Sequence, residues 1–252
     1  MANHSHQCAR CLEIPDYGTF LSVCWRDGEH FPAERRAFGF ALAAAALLGI
    51  LVYVAYWAFL IDIPGFAGRI GPHLPYVVLS AVAVTSATWH LKAVRRELSA
   101  MMAMMVGMTF GMIAGFLAGY LVGATNGMFT GSVFGVLVGC ALGWYVSDCC
   151  AMMSRMEGMM AGLMSGTMGA MTAVMLLNDR LAWFTPFLLA VCLVVLSGCS
   201  YLTHREYRER QGVQVTFRGT GFLPVLVMSF LSVTVTLLIM VGGPKSVLFL
   251  GF

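Results

Sequence analysis

Apolar positions in this chain come as long unbroken blocks rather than as alternating or one-sided stripes, and the polar positions gather between the blocks. Six runs carry no charged residue: 37–61, 70–91, 98–147, 158–178, 181–204 and 219–244. A helix crossing the roughly 30 Å hydrocarbon core of a bilayer needs about 20 apolar residues, so five of these runs fit one span each. The run 98–147 is too long for one helix and breaks at Ala124-Thr125-Asn126-Gly127, which makes room for two. The pattern predicts an all-α, polytopic membrane helix bundle. Its seven transmembrane helices are expected at about 37–61, 74–91, 100–123, 128–147, 158–178, 181–202 and 221–242, behind a polar head of residues 1–36.

Composition sharpens this reading. Of 252 residues, 59% are hydrophobic and 11% charged, against roughly a quarter charged in a soluble domain. With a mean hydropathy of +0.81 the chain cannot clothe itself in water-facing groups, which excludes a soluble globular enzyme. Lys and Arg set the expected orientation, since they favour cytoplasmic loops. With the N-terminus inside, Arg10, Arg26, Arg35, Arg36, Lys92, Arg95, Arg96, Arg155, Arg205, Arg208, Arg210 and Arg218 are cytoplasmic, and only Arg69, Arg180 and Lys245 lie opposite. The expectation is a multi-pass protein of the cell (inner) membrane, N-terminus in and C-terminus out. Lipid headgroups account for the Arg clusters, so no nucleic-acid partner is implied.

The middle of the chain has its own periodicity. Gly107, Gly111, Gly115, Gly119, Gly123, Gly127, Gly131, Gly135, Gly139 and Gly143 recur every four residues, and Gly158, Gly162 and Gly166 continue as Ala170. Residues four apart fall on nearly one helix face. In lipid no hydrophobic force pulls helices together, so close backbone approach across small residues must do so. Spans three, four and five are therefore expected to form a tight trio. The same grooves suit a homo-oligomer or a partner helix.

Candidate chemistry is confined to sulfur and imidazole. The head reads Cys8-x2-Cys11-x12-Cys24-x5-His30, the ligand spacing of a small zinc knuckle. His4 and His6 are alternative fourth ligands, and the CxxC is followed by Leu12 rather than the His of a haem-attachment motif. Farther on, Cys149 and Cys150 precede Met156, Met160, Met164 and Met168, which are spaced four apart as one thioether row on a helix. Thiolate and thioether ligands select Cu(I), although Met is also a flexible filler beside glycine grooves. On span three, Met101, Met104, Met105, Met108 and Met112 are candidates to face the same interior. No charged residue falls inside an expected span, where ion or proton pathways usually advertise themselves. There is also no carboxylate pair, Ser-His-Asp set or phosphate loop, so enzyme activity is not expected.

The segment MMAMMVGMTFGMIAGFLAGYLVGATNGMFTGSVFGVLVG, followed by MEGMMAGLMSGTMGAM, resembles a group of small uncharacterised bacterial membrane proteins rich in Gly and Met. The likeness covers residues 101–175 and rests on Glu157, Gly158, Met160, Ala161, Gly162, Met164, Gly166, Met168, Gly169, Ala170 and Met171. It implies a glycine hairpin followed by a Met-rich helix. A fainter similarity, through Met160-x3-Met164 and the glycine series, is to copper importers that pair an MxxxM span with a GxxxG span. It implies soft-metal traffic, although this chain has more spans and no Met-rich N-terminal segment. Two functions are thus expected: handling of a soft metal ion such as Cu(I), with zinc in the head, or a non-catalytic scaffold of a membrane complex.

Overall fold

The computed structural model of the protein describes residues 32–57, 70–94, 100–147, 152–178, 181–211 and 222–244. They form seven α-helices: α1 Pro32–Ala55, α2 Leu74–Val94, α3 Ala100–Asn126, α4 Met128–Val146, α5 Met152–Met175, α6 Leu181–Gln211 and α7 Phe222–Gly242. Single 3-10 turns, Gly71–His73 and Leu176–Asn178, precede α2 and follow α5, and no strand occurs among the described residues.

Among the described residues, five stretches are long and apolar enough to cross a membrane: Gly71–Lys92, Met101–Asn126, Met128–Val146, Leu181–Thr203 and Phe222–Gly242. The protein is therefore a helical membrane bundle, with two of the seven expected spans less clear-cut than their charge-free runs suggest. The apolar part of α1 is short, Gly39–Ala55. In α5, glycine, serine and threonine dilute the apolar content. That helix also begins at Met152 rather than 158 and takes in Arg155 and Glu157. The charged stretch after residue 204 does continue α6, as far as Gln211.

The trio α3–α4–α5 is packed far more extensively than any other set of helices. Its register follows from the glycine series. A Cβ added to Gly131 would lie 2.6 Å from the Cα of Gly123; at Gly135 it would lie 2.7 Å from Gly119 Cα; at Gly139, 2.9 Å from Gly115 Cα. These pairs are symmetric about Gly127, the only described residue between α3 and α4 and the only one with positive φ, 104°. A side chain would strain that backbone. The expected four-residue break thus narrows to one residue, which folds the series back on itself.

Helix α5 closes the open side of this hairpin. A Cβ on Gly111 would be 2.7 Å from Gly158 O, one on Gly139 2.8 Å from Gly162 Cα, and one on Gly123 2.9 Å from Ala170 Cα. The three helices stack in layers: Gly111, Gly143 and Gly158; Gly115, Gly139 and Gly162; Gly119, Gly135 and Gly166; Gly123, Gly131 and Ala170. At one end of the stack the next layer is Gly107, Ser147 and Ser154, each four residues on, with Ser147 against Gly107 and Gly158.

The opposite face of α3 carries bulk. Val106, Phe110, Ile113 and Leu117 are buried against Val84 and Leu91 of α2 and Leu196 of α6. Tyr120 and Leu121 join Leu48 of α1, Val77 of α2 and Val233 of α7. Polar groups tie these outer helices at single points. Thr85 Oγ1 and Ser229 Oγ lie 2.5 Å apart between α2 and α7. Thr185 Oγ1 donates to Leu181 O at 2.9 Å, so the Tyr120 hydroxyl is the donor in its 3.0 Å bond to Thr185. Asn126 Nδ2 donates to Ile239 O at 2.6 Å and Thr130 Oγ1 to Pro244 O at 3.0 Å, latching the hairpin turn to the end of α7.

Candidate functional site

The face that α5 turns to its neighbours is Ser154, Gly158, Ala161, Gly162, Ser165, Gly166, Gly169, Ala170 and Ala173, all buried. Two positions along a helix are a rotation of about 200°. Met156, Met160, Met164 and Met168, each two residues from a glycine of this face, must therefore emerge on the opposite side. They do, with 58–63% of each residue exposed. Met152, Met153, Met171 and Met175 extend the same outward surface. On α3, Met101, Met105 and Met112 are exposed as well, while Met104 and Met108 are half-buried, so most of the two Met sets faces outward.

The sulfur row is thus a surface of the trio, and among the described residues no helix covers it. Thioethers on one helix form a single line. Thiolate metal binding requires several sulfurs within about 2.3 Å of one centre, and among the described residues no group of three or more His, Cys, Asp or Glu side chains has a metal-binding arrangement. Cys149 and Cys150, and the zinc-like set Cys8, Cys11, Cys24 and His30, lie outside the described residues, as do His4 and His6.

Three other cysteines are free thiols: Cys140, Cys192 and Cys199. Cys140 Sγ reaches Met159 O at 3.3 Å, a bond between α4 and α5. Ser165 Oγ lies 3.3 Å from Gly111 O and 3.1 Å from Gly162 O. A small polar side chain here serves the same close approach that the glycines permit.

At the Ser147 end of the trio the chemistry changes. Ser147 and Ser154 are 0% and 3% exposed, and the oxygen of neither hydroxyl has a hydrogen-bond partner. Oε2 of Glu157 is also buried and unpartnered. Three of the five such atoms among the described residues thus fall between positions 147 and 157. Around them lie two cations held on aromatic faces: Lys92 Nζ is 4.6 Å from the Trp89 ring centroid and 5.3 Å from that of Tyr145, and the Arg155 guanidinium is 5.2 Å from Trp144.

The charge-free run 158–178 leaves Glu157 outside the expected fifth span, whereas α5 includes it. The signal was nonetheless present: Ser154 continues the glycine register of α5 one step toward its start, so the packed face, and the helix with it, extends past Glu157. No protein-family model matches the chain, and neither a curated protein nor a solved structure is detectably similar to it.

Proposed function

We propose that the chain is a non-catalytic scaffold or assembly subunit of a membrane complex, built around the α3–α4–α5 trio. One observation carries this reading. Every glycine of the two series within these helices is closed on a neighbouring helix of the same chain, except Gly107, which meets Ser147 just past the end of α4. Backbone-to-backbone packing of this kind leaves little freedom for sliding or rocking. The glycine grooves are filled intramolecularly, so an outside helix would meet the trio on an exposed face such as the Met row of α5 rather than on glycine. Unbranched, polarizable Met suits surfaces that adapt to a partner.

The test is site-specific photo-crosslinking in native membranes from position 160, with position 161, buried inside the trio, as control. Crosslinks from 160 to a discrete protein or to a second copy, absent from 161, are expected. Labelling of lipid alone from 160, with a monomer in native mass spectrometry, would discard the scaffold reading.

Soft-metal handling remains a second proposal, supported by the four-residue thioether spacing of Met156 to Met168 and by the presence of Cys149 and Cys150 a few residues upstream. Since one helix offers one row of sulfurs, it needs ligands from elsewhere in the chain or from another chain. Element-resolved metal analysis of protein purified without chelator decides it, beside a variant with Cys8, Cys11 and Cys24 changed to Ser. Zinc lost in the variant places a metal in the head. Copper retained in the variant supports the Cys149, Cys150 and Met set, and no metal in either ends the proposal.

A further inference from the structure

Asn126-Gly127, the hairpin turn of the trio, is the only Asn-Gly pair in the chain. Such a pair is reactive because no Cβ shields the glycine nitrogen. That nitrogen attacks the Asn Cγ, and the side-chain nitrogen leaves as ammonia with the glycine amide proton. The cyclic imide that forms is then opened by water at either carbonyl, giving aspartate or isoaspartate. In the folded protein every participant is engaged elsewhere. The leaving group, Asn126 Nδ2, donates to Ile239 O at 2.6 Å. The nucleophile, Gly127 N, donates to Gly123 O at 3.1 Å, whereas attack needs it free and turned toward Cγ. Negative charge would develop on Oδ1, which is buried without a hydrogen-bond partner, and with no donor to receive that charge the barrier is high. Asn126 is 1% exposed, which also excludes the water that opens the imide.

The cover over this pair is the end of α7, and it is thin. A Cβ on Gly243 would run into Asn126 Nδ2 and lie 2.5 Å from Ile239 O, so the chain closes over the asparagine only through glycine. Gly243 N shares Ile239 O with Asn126, at 2.8 Å, and the bond from Thr130 to Pro244 O is exposed. Helix ends held by a few hydrogen bonds open at much lower free energy than a packed core. We propose that Asn126-Gly127 is a masked deamidation site, unreactive while the end of α7 covers it and reactive once that end comes away. The change is one-way. Aspartate sets a carboxylate against the Ile239 carbonyl, acceptor against acceptor. Isoaspartate adds a methylene to the backbone of a one-residue connection and moves Gly131 out of register with Gly123. A molecule that has lost its latch is thereby marked and kept from closing again, whether or not the protein is a scaffold.

The experiment is peptide-mapping mass spectrometry of the full-length protein incubated in neutral buffer, folded in detergent micelles or unfolded in guanidinium chloride. Conversion of the Asn126 amide to acid is followed over time. Folded wild type should convert on the order of a hundredfold more slowly than the unfolded chain. Thr130→Val removes the bond to Pro244 but leaves Asn126 and Gly127 in place, and should speed conversion about threefold to fivefold. Hydrogen exchange at the Gly127 amide of folded wild type reports the same opening without a variant, and should be slowed by a similar factor. Equal conversion rates in folded and unfolded protein would overturn the inference, as would an unfolded chain that does not convert. A folded Thr130→Val protein that converts no faster than wild type overturns it too, because α7 would then not be the cover. If that variant does not fold, wild type decides alone: a Gly127 amide exchanging as freely as in the unfolded chain removes the mask.

Discussion

Helices α3, α4 and α5 meet through their backbones, whereas α1, α2, α6 and α7 meet the rest through side chains. In the trio, the layer Gly115–Gly139–Gly162 leaves no room for even one methyl group: a Cβ on Gly139 would sit 2.8 Å from one neighbour and 2.9 Å from the other. Around the periphery, Gly39, Gly49 and Gly198 have nothing within 4 Å of such a Cβ. The same residue type is thus a steric necessity in one region and dispensable in the other. In lipid, where apolar surface gains nothing from being covered by another helix, van der Waals contact over a long backbone interface is the stronger adhesive. Single polar clamps such as Thr85–Ser229 supplement the weaker side-chain contacts.

The largest expected effect comes from breaking the trio at its middle. Gly139→Leu should destabilise by more than about 4 kcal/mol, because two neighbouring backbones would have to move apart. Denaturant titration in mixed micelles checks this, with loss of the compact species as the expected result; a stability near wild type would contradict the layer geometry. Next comes the latch between the two regions. Asn126→Ala removes the 2.6 Å bond to Ile239 O and should cost about 1 kcal/mol, the upper range for hydrogen bonds between membrane helices. Protease sensitivity of the chain after residue 242 should rise with it. A smaller coupling, about 0.6 kcal/mol, is expected from a double-mutant cycle of Thr85→Val and Ser229→Ala. A cycle that closes to zero would mean each hydroxyl serves its own helix alone.

The smallest change sharpens the comparison most. Gly49→Ala adds the same methyl as Gly139→Ala but meets open space, and helix propensity favours it by about 0.5–1 kcal/mol. The two substitutions should have opposite signs in one assay. Equal destabilisation by both would leave the contrast between the regions without support.

Much of this organisation was legible in the sequence, because glycine spacing at four residues specifies both which face is packed and, once folded at Gly127, which residue meets which. The outward direction of the Met row was legible too, by the same rotation that puts Met160 opposite Gly158 and Gly162. The sulfur spacing by itself suggests an interior path; only its offset from the glycines points outward. The start of α5 was harder to read. Charge-free runs locate hydrocarbon, but a helix whose packed face is serine and glycine gains its order from tertiary contact, and it can carry Arg155 and Glu157 in its first two turns. The partial apolarity of α5 has the same cause, since residues chosen for close approach are poor in hydropathy. Orientation across the membrane is not a property of helix packing, and the Cys8–His30 segment lies outside the described residues.

The single-residue connection at Gly127 also bears on how the protein is made. With α3 ending at Asn126 and α4 beginning at Met128, no polar loop exists that could wait on the far side while one helix is threaded and the other is still being synthesised. Helix α3 alone, 27 residues long, is about 40 Å from end to end. Its tip must therefore cross the bilayer joined to the first turn of α4. The two helices are expected to enter as one paired hairpin, zipped at Gly123 and Gly131, onto which α5, the next helix to be made, can close.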